Sequence, residues 1–171
     1  DKTKAKSPAL GEAYRQLATL LASEGHGKFT EVRYSSDKAQ VVALAKEALA
    51  LFDRADKMLQ EAGSRIKAQL DAAGPAERPV VLRRYLETLL QHGRALLTKS
   101  DLQLRYLNQQ AEAGKTRVQA AGLFKTMADF RSNDALGWIG VAWYGISQAG
   151  LDEKERETAF KAVETAKDPL A

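Results

Sequence analysis

Apolar residues recur along most of this chain at steps of three and four, the period of a helix buried along one side. The clearest case is the segment 37–73. There Val41, Leu44, Ala48, Phe52, Ala55, Leu59, Ala62, Ile66, Leu70 and Ala73 form one stripe. Asp37 to Ala73 reads as one long helix of about 54 Å, and Gly74-Pro75 stops it. A second periodic run opens at Pro79 with a seam close to a 3.5-residue repeat: Leu82, Leu86, Leu89, Gly93, Leu96, Ser100, Leu104, Leu107, Ala111, Gly114, Val118 and Ala121. It predicts a helix over 79–131, paired with 37–73 as a long antiparallel hairpin. Unbroken, that helix is roughly 80 Å long, against about 40 Å for a compact globule of this chain length. The expected shape is elongated. Thr98 to Asp101 offers a place to break the run, since Ser100 or Asp101 can cap a new helix.

Shorter elements flank the hairpin. Ser7-Pro8 starts a helix running to about Glu24, with Leu10, Tyr14, Leu17, Leu20 and Leu21 on one face. Gly25 and Gly27 end it, so 25–36 reads as an ordered loop. After the capping residues Asn133 and Asp134, a helix over 134–149 ends at Gly150. Asp152 with Glu155 makes a capping-box-like start for a last helix, 152–167, closed by Asp168-Pro169. Residues 1–6 are polar and read as a flexible tail. No strand pattern finds a partner. The expected fold is therefore a single all-helical domain spanning 1–171, an elongated bundle with shorter N- and C-terminal helices.

Composition supports a packed core: 44% of residues are hydrophobic and 28% charged. There is no cysteine, which excludes disulfides, thiolate metal sites and cysteine nucleophiles. The first residue is Asp1, as in a processed mature chain or an excised domain. The longest apolar run, Ala135 to Ile146, is about 18 Å as a helix. A bilayer core is ~30 Å, so no transmembrane helix is expected. The formal net charge is +4, but its distribution is uneven. Residues 78–131 hold ten Lys/Arg against four Asp/Glu, whereas 152–168 holds six acids and four bases. A basic middle suits an acidic protein surface.

Motifs with catalytic or cofactor chemistry are weak. His26 and His92 have no histidine partner at helical spacing and read as a loop residue and a helix-flank residue. Around Gly27-Lys28 a phosphate loop would need Gly at Ala22 and Ser or Thr at Phe29; around Gly114-Lys115-Thr116 it would need Gly at Gln109. Glu47, Asp53, Asp56 and Glu61 alternate with Lys46, Arg54, Lys57 and Arg65, as on a solvated helix face. No cofactor, catalytic residue or metal site is expected.

Two features remain. Arg83, Arg84, Arg94, Arg105, Lys115 and Arg117 put a basic face on the second long helix. Such a face is a weak pointer to nucleic acid without exposed aromatics to stack on bases. The 135–149 helix carries both tryptophans and is apolar in every direction, as in a helix surrounded by protein. Trp138, Ile139, Trp143 and Tyr144 are the candidate partner-binding residues, because such aromatics anchor interfaces. The expected function is a non-enzymatic structural or adaptor subunit that docks onto other protein subunits. Two alternatives stand beside it. One is an extracytoplasmic sensory or ligand-binding bundle for a small molecule. The other is phosphate or nucleic-acid binding through the basic helix.

Overall fold

A computed structural model of the chain describes residues 8–148 and, beyond them, Glu157, Lys161 and Glu164. The expected tail 1–6, the Ser7 cap and the stop at Gly150 lie outside the described residues. So does most of the expected 152–167 helix, whose three described positions are helical. Five helices follow in order: α1 Pro8–Tyr34, α2 Lys38–Ala72, α3 Arg78–Arg105, α4 Gln110–Ala128 and α5 Ala135–Gln148. No strand occurs among the described residues. Each helix packs antiparallel on the next, and α1 and α3 both lie against α2.

The 37–73 helix falls where its pattern places it. Asp37 Oδ1 accepts the Ala39 and Gln40 amides at 2.8 and 3.4 Å, which satisfies two orphan donors. Leu44, Ala48, Phe52, Ala55, Leu59, Ala62, Ile66 and Leu70 are all buried. At the far end, the Arg78 guanidinium donates to the Leu70 carbonyl at 3.2 Å, tying the turn at 73–77 to the helix it follows. At 35 residues α2 is about 52 Å long, more than the ~40 Å diameter of a compact sphere of this size.

The expected loop at 25–36 is helix: α1 runs on to Tyr34, leaving residues 35–37 as the link to α2. Neither glycine stops it, because Gly25 is used for packing. It lies against the Phe52 ring, and a Cβ there would sit 3.1 Å from Phe52 Cε2. The buried stripe of α1 includes Gly11, Ala18, Gly25 and Val32, spaced by seven, and Gly11 lies against Arg65 and Ile66 of α2 as Gly25 lies against Phe52; Ala48, Ala55 and Ala62 of α2 are buried as well. Small residues on both sides let the two backbones approach. The leucine face expected for α1 is therefore corrected. Leu21 is buried, but Leu17 and Leu20 are 45% and 69% exposed. Tyr14 lies beneath the Arg65 guanidinium, 5.3 Å from its ring centre.

The run expected over 79–131 is two helices. The break is at 106–109, not at 98–101. Asn108 adopts a left-handed backbone (φ 54°), which Asn tolerates better than most side chains. The Tyr106 and Leu107 amides both return to the Leu102 carbonyl, and the Gln109 amide to Gln103. α4 then folds back along α3. The seam is buried through Ser100; beyond it Leu104 and Val118 are 44% and 65% exposed. Ala121 of the seam is buried, and α4 otherwise buries Ala113, Thr116, Ala120, Phe124 and Met127. Ser100 starts no helix. It donates to the Ala113 carbonyl at 3.0 Å, while Thr116 donates to Gln103 Oε1 at 2.9 Å. These two buried bonds align α3 and α4 near the turn.

Two apolar cores result. One joins Phe52, Ala48 and Leu59 of α2 to Ala18 and Val32 of α1 and Leu102 of α3. The other joins Ile66 and Leu70 to Leu82, Leu86, Leu96, Phe124 and Met127. The second is where α5 docks.

Candidate functional site

α5 begins at Asp134, whose Oδ1 accepts the Leu136 amide at 2.8 Å. Gly137 faces the turn that follows α4, and Gly140 faces the last turn of α4. A Cβ on Gly137 would run into the Phe130–Arg131 backbone, and one on Gly140 would lie 2.5 Å from Met127 Cβ. These two positions are glycine because the start of α5 sits almost backbone to backbone on the end of α4 and the turn after it. At the other end, Arg117 Nε donates to the Ser147 carbonyl at 2.8 Å, and the Ser147 hydroxyl donates to the Tyr144 carbonyl at 2.6 Å. The Arg117 bond ties α4 to the far part of α5.

The four candidate docking residues divide between two roles. Trp143 stacks on Phe124, with ring centres 5.6 Å apart and planes at 21°, and the Arg94 guanidinium covers it at 5.7 Å. Trp143 and Tyr144 both pack against the second core. Trp138, Ile139 and Ala142 are partly buried, as Trp143 and Tyr144 are, but lie outside that core, and Ile146 is 40% exposed. At 100° per residue, positions 138, 139, 142 and 146 span an arc of about 100° opposite the Gly137–Gly140 face. One side of α5 is thus consumed by α4, and an uncharged apolar strip points away from it. Among the described residues, no helix is long and apolar enough to cross a membrane.

No family model matches this chain, and no curated protein or solved structure matches it either. What it does must be argued from its own residues.

The six basic candidates do not share one helix face. Arg83, Arg84, Arg94 and Arg105 are on α3, whereas Lys115 and Arg117 are on α4, which runs the opposite way. Several are engaged. Arg83 pairs with Glu87 at 3.5 Å, Arg105 with Asp101 at 4.0 Å, and Lys115 with Glu112 at 2.8 Å. The two glycine-lysine motifs lie inside α1 and α4, where the backbone amides of a phosphate loop are already spent on helix bonds.

A polar cluster links α2 to α3. His92, read as a helix-flank residue, is 6% exposed, and its Nε2 donates to Asp56 Oδ1 at 2.7 Å. Gln60 donates to the same oxygen at 2.8 Å. Lys99 lies 3.3 Å from Asp56 and 2.9 Å from Asp53. Asp56 is thus no part of a solvated face. The pattern along α2 alone could not show this, because its partners stand 36 and 43 positions away. Burial raises the Asp56 carboxyl, but the hydrogen bonds from His92 and Gln60 and the charge of Lys99 outweigh it and hold the pKa at about 2. His26, in α1 rather than in a loop, has its ring edge-on to Phe52 at 5.1 Å. Burial and then the Arg94 charge push its pKa down.

The depressed carboxyl carries a pH dependence. Its folded pKa is below the ordinary value of 3.8, so its stabilisation is complete above pH 4 and is lost as pH falls towards 2. Asp56→Asn is expected to lose about 1–3 kcal/mol at pH 7, since it weakens charge-assisted bonds in a half-buried cluster. The gap in melting temperature to wild type should close between about pH 4 and pH 2. A gap that stays constant over that range would assign the loss to packing.

Proposed function

We propose that this chain is a non-enzymatic helical structural or adaptor subunit, and that it docks onto another protein through the outer strip of α5. The observation that supports this is the strip itself. Trp138, Ile139, Ala142 and Ile146 lie uncharged and partly open on a helix already anchored by its glycine face. Apolar surface gathered on one side of an element, rather than scattered singly, marks interaction sites. A tryptophan at its edge supplies the rigid anchor that interface hot spots favour. Trp143 and Tyr144 hold the strip in place from beneath. The excess of basic residues on α3 and α4 suits a partner with an acidic rim, which would speed encounter.

The test is Ile139→Glu/Ile146→Glu. Both positions point away from α4, so helix content and melting temperature should stay near those of wild type. Recovery of a defined protein partner in native co-purification should be lost. Unfolding of this variant, or recovery of the same partner by it, would remove the docking role of the strip.

A further inference from the structure

One side of α1 faces away from the bundle. Ala13, Leu17, Leu20, Glu24, Gly27 and Glu31 follow one another at steps of four and three, so they form a single stripe. All six are exposed, Leu17 by 45% and Leu20 by 69%. The helix turns its small residues inward to α2 and leaves two neighbouring leucines open. Apolar side chains grouped in this way mark a contact surface.

Gly27 adds a second observation. A glycine inside a helix costs stability. Gly25 is used against Phe52, but a Cβ on Gly27 would meet nothing within 4 Å. No atom of this chain takes up the space it leaves.

Charge along the stripe decides what can lie on it. Alanine stands towards the start of α1 and glutamate towards its end, with the leucines between. Glu24 forms no ion pair among the described residues. Glu31 shares the Lys28 ammonium with Glu47, at 3.5 and 3.3 Å. A second copy laid parallel would set Glu24 against Glu24 and Glu31 against Glu31, and facing like charges oppose pairing. A second copy laid antiparallel avoids this. With Leu17 level with Leu20, Ala13 comes level with Glu24, and Leu10 with Gly27. Glu31 then reaches past Pro8 of the other copy, on the side where the sequence holds Lys2, Lys4 and Lys6.

We propose that this stripe joins two copies of the chain through antiparallel α1 helices, about a two-fold axis between Leu17 and Leu20. Each contact then occurs twice. Four leucines form the centre, Leu10 of each copy enters the space at Gly27 of the other, and the acidic end of each α1 meets the basic start of its partner. The stripe shares no residue with the outer strip of α5, so pairing is independent of docking there. One helix face makes a small interface, below about 1,200 Å² in total, and dissociation is expected on the order of 10–100 µM.

The test is sedimentation equilibrium of the full chain alone, from about 5 to 500 µM. Wild type should pass from monomer to dimer across that range. Leu17→Glu/Leu20→Glu should stay monomeric, with helicity unchanged because both side chains already face solvent. Gly27→Leu should weaken pairing by about tenfold or more. The direction is read separately, by single cysteines and a bismaleimide of about 8 Å reach, in a chain that has no other thiol. In the antiparallel pair the two copies of position 13 lie roughly 16 Å apart along the axis, as do those of position 24, whereas 13 is level with 24. An equimolar mixture of Ala13→Cys and Glu24→Cys should therefore link at least about tenfold faster than either alone. Wild type that remains monomeric at about 500 µM would overturn the proposal. So would a dimer that survives Leu17→Glu/Leu20→Glu, loss of the fold in that variant, or Ala13→Cys linking to itself as fast as to Glu24→Cys.

Discussion

Phe124→Ala is expected to lose about 3–5 kcal/mol of folding stability, a large share of the roughly 5–15 kcal/mol of a typical domain. Phe124 is fully buried and joins α4 to two other helices. From α4 it presses into the gap that Gly93 leaves in α3, where a Cβ would lie within 2.5 Å of the ring. On its other side it stacks on Trp143 of α5. Truncation leaves a hole that cannot close by local collapse, because Gly93 has no side chain to offer and Trp143 is held by Arg94. Denaturant titration gives the size of the loss. Gly93→Val supplies a check on the mechanism. It should destabilise wild type by overpacking but recover part of the loss in Phe124→Ala, a coupling expected only between groups competing for one space. Additive losses would show that the two residues do not share that space.

The second large effect is a change of sign between two glycines. Gly63→Ala, in the middle of α2, meets open space and should stabilise by about 0.5–1 kcal/mol through helix propensity and a less flexible unfolded chain. Gly140→Leu puts its Cβ 2.5 Å from Met127 Cβ and 2.8 Å from the Ala128 backbone nitrogen. The α4 backbone cannot yield as a side-chain tip can, so α5 must move away. Overpacking of this kind costs typically about 1–3 kcal/mol, and here it also separates Trp143 from Phe124. The expected readouts are a lower melting temperature and a red-shifted tryptophan emission. A stable Gly140→Leu variant with unchanged emission would place α5 elsewhere.

How much of this was legible along the chain depended on whether each element is defined by its own pattern or by its neighbour. α2 was legible almost to the residue, since Gly74-Pro75 ends it and its apolar stripe is continuous; only Asp37, read as helical, is its cap. The start of α5 was legible for a similar reason: Asp134 caps it, and the helix opens at Ala135 against an expected 134. Gly25 was misread because a glycine in isolation is a helix breaker, whereas against Phe52 it is a packing surface worth more than the propensity it costs. The turn at 106–109 was hidden because heptad spacing continues across it. Only burial distinguishes Leu96, which is in the seam, from Leu104 and Val118, which are not.

The candidate docking residues illustrate the same limit. Composition singled out α5 as apolar all round, yet it could not say which side its neighbours occupy. The glycines decide that, and with it the separation of Trp143 and Tyr144, which pack on the second core, from Trp138 and Ile139, which do not. The Asp56–His92–Lys99 cluster left no local signal at all. Each residue is ordinary on its own helix, and the cluster exists only because α2 and α3 run antiparallel.

The central claim is that α5 belongs to this chain through its glycines and to another protein through its outer strip. The most direct measurement is the affinity of a co-purified partner for wild type and for Ile139→Glu/Ile146→Glu, with circular dichroism and melting recorded on the same samples. The account predicts a loss of at least about tenfold, or 1.4 kcal/mol, at unchanged helicity and near-unchanged melting temperature. Equal affinity, or a variant that loses its fold, would contradict it and return the strip to the protein's own interior.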